Sequence, residues 1–277
     1  MIAWLLEPLA YSFMQRGFLA ALMVGILCSV VGCYVVLRSM AFLGDALAHA
    51  ILPGVAIAYL LHANLMIGAL AAAILVAAGI GLFSRQGTLK EDTAIGILFT
   101  AALALGVALI SSIRSYAVDL THILFGNILG VSWNDLWLIG GVGLAVLVVL
   151  IGFYRPFLIL SFDPVLASTL RLPVQFLRNL LLILLALSIV VSIQAVGVGL
   201  AAAMLVTPAA TAYLLARRLP RMMAISACIG AVSSLVGLYI SYYANIASGS
   251  AVVLVATLLF LLAFFLAPRH GLVWRRS

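Results

Sequence analysis

The chain has 277 residues, of which 67% are apolar and only 8% charged, where a soluble domain carries about 25% charge. A soluble globule of this size has no use for so much apolar surface, so the solvent is a bilayer; at roughly 20 residues per crossing there is room for eight to ten helices and none for a second soluble domain. The net charge of +7 excludes a nucleic-acid partner as its explanation, because the basic residues sit at the ends of apolar runs, where the positive-inside rule puts them.

In chain order, the opening MIAWLLEPLAYSFMQRG has no basic region before its apolar stretch. It reads as an interfacial segment over 1–16 and not as a cleaved signal. Apolar runs then fall at 17–37, 41–61, 64–84, 93–113, 135–153, 179–197, 199–216, 222–243 and 249–267. Cys28, Cys33 and Cys228 lie inside these runs without metal-ligand spacing and read as packing residues. Ala69, Ala73, Ala77 and Gly81 recur every four residues, a stripe of small side chains that lets helix backbones approach. Gly126 and Gly130 share that spacing. Residues 154–178 hold three prolines and four arginines or aspartates, too polar and too interrupted to cross. The expected fold is an all-α integral membrane protein, a polytopic bundle of about eight to nine transmembrane helices, forming one domain over 1–277 with a tail at 268–277.

The basic residues orient the bundle. With 154–178 in the cytoplasm, alternating spans place Arg38, Arg85, Lys90, Arg155, Arg171, Arg178, Arg217, Arg218, Arg221, Arg269, Arg275 and Arg276 inside. Only Arg16 and Arg114 fall outside. The N-terminus is then external and the tail internal.

The chain holds one lysine, Lys90, and no glycine-rich loop ending in Gly-Lys-Ser/Thr, so it cannot build the usual cradle for ATP phosphates. With two glutamates, Glu7 and Glu91, and no His-Glu-x-x-His, it has no zinc-protease site. Gly-x-Ser-x-Gly is also missing, so catalysis by this chain is not expected. Within the spans, Asp45 and His49 stand out in MAFLGDALAHAILPG. Four residues apart, they share one helix face. A carboxylate with an imidazole suits a transition ion such as Mn, Fe or Zn. The spacing equally allows a helix-capping Asp45 beside a hydrogen-bonded His49. Asp119, His122 and Asn127 form an external polar group, which reads as a gate, as a docking surface for a delivery protein or as a plain solvated loop. Inside, Asp163-Pro164 is a helix-start signal, because Asp accepts free amide bonds and Pro fits the first helical position. A short helix VLASTL follows to Arg171, carrying Leu166 and Leu170, and Leu172-Pro173 ends it. Exposed on the cytoplasmic face, it suggests a docking knob for a soluble partner.

Taken together, RSMAFLGDALAHAILPGVAIAY, DLTHILFGNILGV, FDPVLASTLRL and LVTPAATAYLL resemble, in that order, the permeases of the manganese/zinc/iron ABC transporter family, the ABC-3 type metal importers. The resemblance spans roughly 15–268. It implies a homodimeric importer core in the bacterial cell membrane, surrounded by lipid and without nucleic acid. Each copy would dock one ATP-binding subunit inside and receive a divalent metal ion outside from a metal-binding protein. No permanently bound cofactor is implied. Asp45 and His49 would be the metal ligands of the path. The helix of Asp163, Pro164, Leu166, Leu170 and Arg171 would be the coupling helix. Manganese is the first choice of cargo, since a hard oxygen ligand is paired with imidazole and no thiol, and Zn and Fe come next. The competing readings are a carrier driven by an ion gradient, for which more buried acids are expected, and an intramembrane metalloenzyme, for which a second intramembrane acid is missing.

The orientation makes a direct prediction. In a background lacking native cysteines, Ser168→Cys and Ser277→Cys should resist an impermeant thiol reagent in intact cells. Labelling of Ser168→Cys from outside would invert the bundle.

Overall fold

The computed structural model describes residues 7–84, 91–112 and 128–266. Among these residues there is no strand, and nine helical spans are long and apolar enough to cross a bilayer. Lipid offers no hydrogen bonds to a free N–H or C=O, and a helix satisfies its own. Helix α1 (Ser12–Leu37) is the first span. The second is divided into α2 (Phe42–Ala50) and α3 (Leu52–Leu60). Helices α4 (Leu65–Phe83), α5 (Glu91–Ser111) and α6 (Trp133–Gly152) follow. Two short helices, α7 (Tyr154–Phe162) and α8 (Pro164–Thr169), stand apart from the spans. The last four spans are α9 (Val174–Val196), α10 (Val198–Leu215), α11 (Leu219–Ala244) and α12 (Ser248–Leu266).

These spans match the apolar runs of the sequence within a few residues, with two informative differences. Helix α1 begins at Ser12, inside the segment expected to lie at the interface. Helix α9 begins at Val174, so residues 174–178 belong to a spanning helix and not to the inner loop. The polar residues of its first two turns are absorbed by a neighbour. Gln175 Nε2 donates to the Gly81 carbonyl at 2.8 Å, and Arg178 Nη1 donates to the Ser84 carbonyl at 3.3 Å. All four members of the Ala69, Ala73, Ala77, Gly81 stripe are buried, and Gly81 lies against Asn179 of α9.

Helix α1 is the centre of the bundle and packs against α6, α9, α10 and α11. Its approach to two of these depends on missing side chains. A Cβ on Gly32 would strike the Leu205 backbone of α10, and a Cβ on Gly25 would lie 2.9 Å from the Gly230 carbonyl of α11. Between the glycines, serines of α11 reach across. Ser226 Oγ donates to the Ser29 carbonyl at 2.8 Å and Ser234 Oγ to the Ala21 carbonyl at 2.9 Å. Ala21, Gly25 and Ser29 thus face Ser226, Gly230 and Ser234, two ladders of period four that bring the backbones close enough for these bonds. Cys28 joins the α1–α9 contact, its Sγ 3.1 Å from Ser192 Oγ, and Cys33 donates to the Ser29 carbonyl at 3.4 Å. Cys228 departs from the expected packing role: it is exposed on the outer side of α11.

Close packing makes the glycines unequal. Gly32→Ala should lower the thermal midpoint of the detergent-solubilised protein, because overpacking costs about 1–3 kcal/mol. Gly96→Ala, with nothing within 4 Å of the added atom, should leave it unchanged. Equal midpoints for the two variants would refute the tight α1–α10 contact.

Candidate functional site

The interruption of the second span follows from one residue. Pro53 has no N–H to give the carbonyl four residues earlier, and its ring crowds that carbonyl. The carbonyl belongs to His49. Helix α2 accordingly ends at Ala50, the Ile51 amide turns back to the His49 carbonyl, and α3 restarts at Leu52 with Pro53 in its first turn. The sequence pattern alone reads 41–61 as one unbroken run. In the structure the break falls within one turn of the only ionisable pair in that span.

Asp45 and His49 lie one above the other on α2, with His49 Nε2 3.6 Å from Asp45 Oδ1. That is too long for a hydrogen bond. The His49 side chain is 29% exposed and the Asp45 side chain 51%. Phe42, one turn earlier, is exposed too. The pair therefore opens onto the outer face of the single chain. The opposite face of α2 is fixed by Gly44, whose missing Cβ leaves room for the Leu205 side chain of α10. The His49 ring lies against Phe99 of α5 with 6.1 Å between centroids. The capping alternative is not what forms. The residue before α2 is Ala41, and no side chain caps that end. At 1.5 Å per residue, Asp45 stands about 5 Å and His49 about 10 Å from the Arg38 end of the span. Among the described residues no group of three or more His, Cys, Asp or Glu could hold a metal ion. One copy thus offers a two-sided corner, not a closed cage.

Helix α8 is built by the residues the sequence singled out. Asp163 is extended and its Oδ1 accepts from the Val165 and Leu166 amides at 2.9 and 3.0 Å, with Pro164 in the first position. The helix stops at Thr169, short of the expected Arg171. Arg171 takes φ 55°, its amide bonds the Ser168 carbonyl, and the Leu172 amide bonds the Ala167 carbonyl. That is a Schellman end, and Pro173 follows it. Ala167 is buried, whereas Phe162, Val165, Leu166, Leu170 and Phe176 are exposed and form an apolar patch beside Arg171. The third candidate group, Asp119, His122 and Asn127, lies outside the described residues. At the start of α6, Asp135 forms a capping box with Ser132 and accepts from Gln194 Nε2 at 3.1 Å.

One constellation escaped the sequence reading. Arg38, Glu91 and Arg178, from the ends of α1, α5 and α9, meet in the structure. Arg38 Nη2 donates to both Glu91 oxygens at 2.8 and 2.9 Å. Arg178 Nε sits 3.0 Å from Glu91 Oε1, off the line of a hydrogen bond. Their side chains are 7%, 20% and 17% exposed for Arg38, Glu91 and Arg178. Removal from water pushes the Arg38 guanidinium below its usual range, Glu91 pulls it back up, and the Arg178 charge pushes it down. The available signal was Glu91 itself, one of two glutamates in the chain and placed at the start of a span.

Comparison with known proteins agrees over the full length. The sequence profile of the ABC 3 transport family matches residues 10–267. The manganese transport system membrane protein MntC of Halalkalibacterium halodurans is 51% identical over 269 residues, covering 97% of this chain and 92% of the relative. A Haemophilus influenzae membrane protein named for iron transport is 40% identical, covering 100% of this chain and 98% of the relative. The fold superposes on PsaBC from Streptococcus pneumoniae, solved in complex with Fab, with a TM-score of 0.85, 44% identity and 98% of each chain covered.

Proposed function

The chain belongs to the ABC 3 transport family, and from that premise we propose that it carries manganese inward through a path whose ligands are Asp45 and His49. Family membership makes it a multi-pass membrane component of a transporter and not an enzyme. The metalloenzyme and ion-gradient readings fall away with it. The observation that supports the metal path most is the open Asp45–His49 corner beside the proline break. A carboxylate at the centre of a membrane helix costs about 2.5–3.5 kcal/mol on insertion scales. Asp45, one turn into its span and half-exposed, bears part of that cost, which a partner outside the single chain would offset.

A second copy and the ion together would do so. Metal sites of this kind commonly take four or more ligands, and one chain supplies two. Two chains meeting on a twofold axis would present two carboxylates and two imidazoles. The freed backbone next to His49 fits the pattern of transporter sites, where broken helices line the path of the ion. Such a site has no thiolate and no closed cage, so it can release its cargo. Manganese is preferred to zinc and iron because of the oxygen–nitrogen donor set and the names carried by relatives such as MntC. Raw affinity does not decide, because zinc binds nearly any such site more tightly.

In this reading the apolar patch of α8, Leu166 and Leu170 included, seats an ATP-binding subunit in the cytoplasm. An external metal-binding protein delivers the ion, and Asp119, His122 and Asn127 would contribute to the outer gate.

Two predictions follow from the two faces. Asp45→Ala and His49→Ala should each abolish ATP-dependent manganese uptake at matched protein level. Asp45→Asn should fail as well, since it keeps the shape and removes the charge that offsets the dication, whereas His49→Cys should shift preference toward zinc. Normal accumulation by the Asp45→Ala, His49→Ala double variant would sink the site. For the inner face, replacing Leu166 and Leu170 by Asp should leave the protein in the membrane and release the ATP-binding subunit on co-purification. A complex that survives and transports makes α8 a bystander.

A further inference from the structure

We propose that Glu91 is a positioning residue that links the cytoplasmic helix α8 to the Asp45–His49 corner, through simultaneous ion pairs to Arg178 and Arg38. The inference rests on the metal-path reading above and adds the mechanical connection.

The link is continuous in named atoms. Helix α8 packs on α7 and α9, and only Leu170–Pro173 separate it from α9. Arg178 sits in the second turn of α9 and pairs with Glu91 at 3.0 Å. Glu91 opens α5 and holds Arg38 through both carboxylate oxygens. Arg38 follows α1, and the chain from there to α2 is a tight turn. Ser39 is left-handed at φ 55°, the Met40 amide bonds the Val35 carbonyl at 3.0 Å, and the Leu43 amide bonds the Met40 carbonyl at 2.9 Å. Asp45 comes two residues after that last bond. Displacement of Arg178 therefore reaches the start of α2 without crossing a slack segment. Left-handed Ser39 and Arg171 stand at the two ends of the route.

The cluster is poorly suited to stability alone. Two guanidinium groups share one carboxylate, and Arg38 Nη1 is buried without a hydrogen-bond partner among the described residues. Buried ion groups of this kind are commonly replaced by apolar side chains with no loss of stability. They do carry direction and discrete pairing, as a link between helices requires.

The test uses the complete transporter, with its ATP-binding subunit and external binding protein, in proteoliposomes. Three permease variants are compared: Glu91→Gln, Glu91→Asp, and the combined Arg38→Met, Glu91→Leu, Arg178→Met, which leaves no charge buried. Two quantities are read: manganese ions moved per ATP hydrolysed, and the effect of ATP on the labelling rate of Phe42→Cys in a background lacking native cysteines. Phe42 is exposed on the same helix as Asp45. Glu91→Gln and the combined variant should hydrolyse ATP but move at least about fivefold fewer ions per ATP. ATP should no longer alter labelling at Phe42→Cys, and Glu91→Asp should restore part of both. An assembled combined variant with the wild-type ion-to-ATP ratio and wild-type labelling response would overturn the link. Uptake that survives Asp45→Ala would instead overturn the metal path, and the labelling response would still decide the role of Glu91.

Discussion

Lipid gives a polar group nothing to bond to, and most of this structure is the consequence. The spans close most of their own backbone bonds, and several hydroxyl side chains bond within their own helix. Ser188 Oγ returns to the Leu184 carbonyl at 2.7 Å and Ser192 Oγ to the Ser188 carbonyl at 2.6 Å. Where a hydroxyl does cross to another helix, as Ser226 and Ser234 do, it needs backbones drawn together by glycine. Hydrophobicity cannot hold helices to one another in a solvent as apolar as they are, so close packing and these short bonds must. Helix α1 is central because it carries the small residues that permit both.

Against that background a few departures stand out. Pro53 withholds a hydrogen bond from the His49 carbonyl and splits the second span. Asp45 and His49 lie on the half of the span between that break and Arg38. Arg38, Glu91 and Arg178 sit a short turn away. In both places the fold keeps groups that apolar residues could replace, at a cost the rest of the bundle avoids.

How much of this the sequence revealed depends on the range of the interaction. Spans reflect composition over some twenty neighbouring residues, and nine apolar runs located nine spans among the described residues. Helix α8 reflects neighbouring residues: Asp163 and Pro164 start it, and the left-handed Arg171 ends it earlier than the pattern suggested. The pair Asp45 and His49 was readable because a helix brings neighbours four apart together, yet its exposure was not, since that depends on which faces α5 and α10 cover. The break at Ile51 hid inside an apolar run that hydropathy scores as continuous. The Arg38–Glu91–Arg178 cluster joins three separate helices, and no local pattern marks such a meeting. The α1–α11 ladders were spaced every four residues all along, but with 23 glycines in the chain that spacing does not stand out.

The two ionic groups differ in a way that separates their roles. In the Arg38–Glu91–Arg178 cluster the charges belong to one chain, are mostly buried and approach to between 2.8 and 3.0 Å. Its opposite charges already meet within one chain. At Asp45 and His49 the separation is 3.6 Å and half of the carboxylate is uncovered. The aromatic face of Phe99 beside His49 offers that carboxylate no charge. Among the described residues no lysine or arginine reaches the Asp45 carboxylate, whereas two guanidinium groups reach Glu91. On the proposed metal path, that uncovered carboxylate is what an arriving cation would meet.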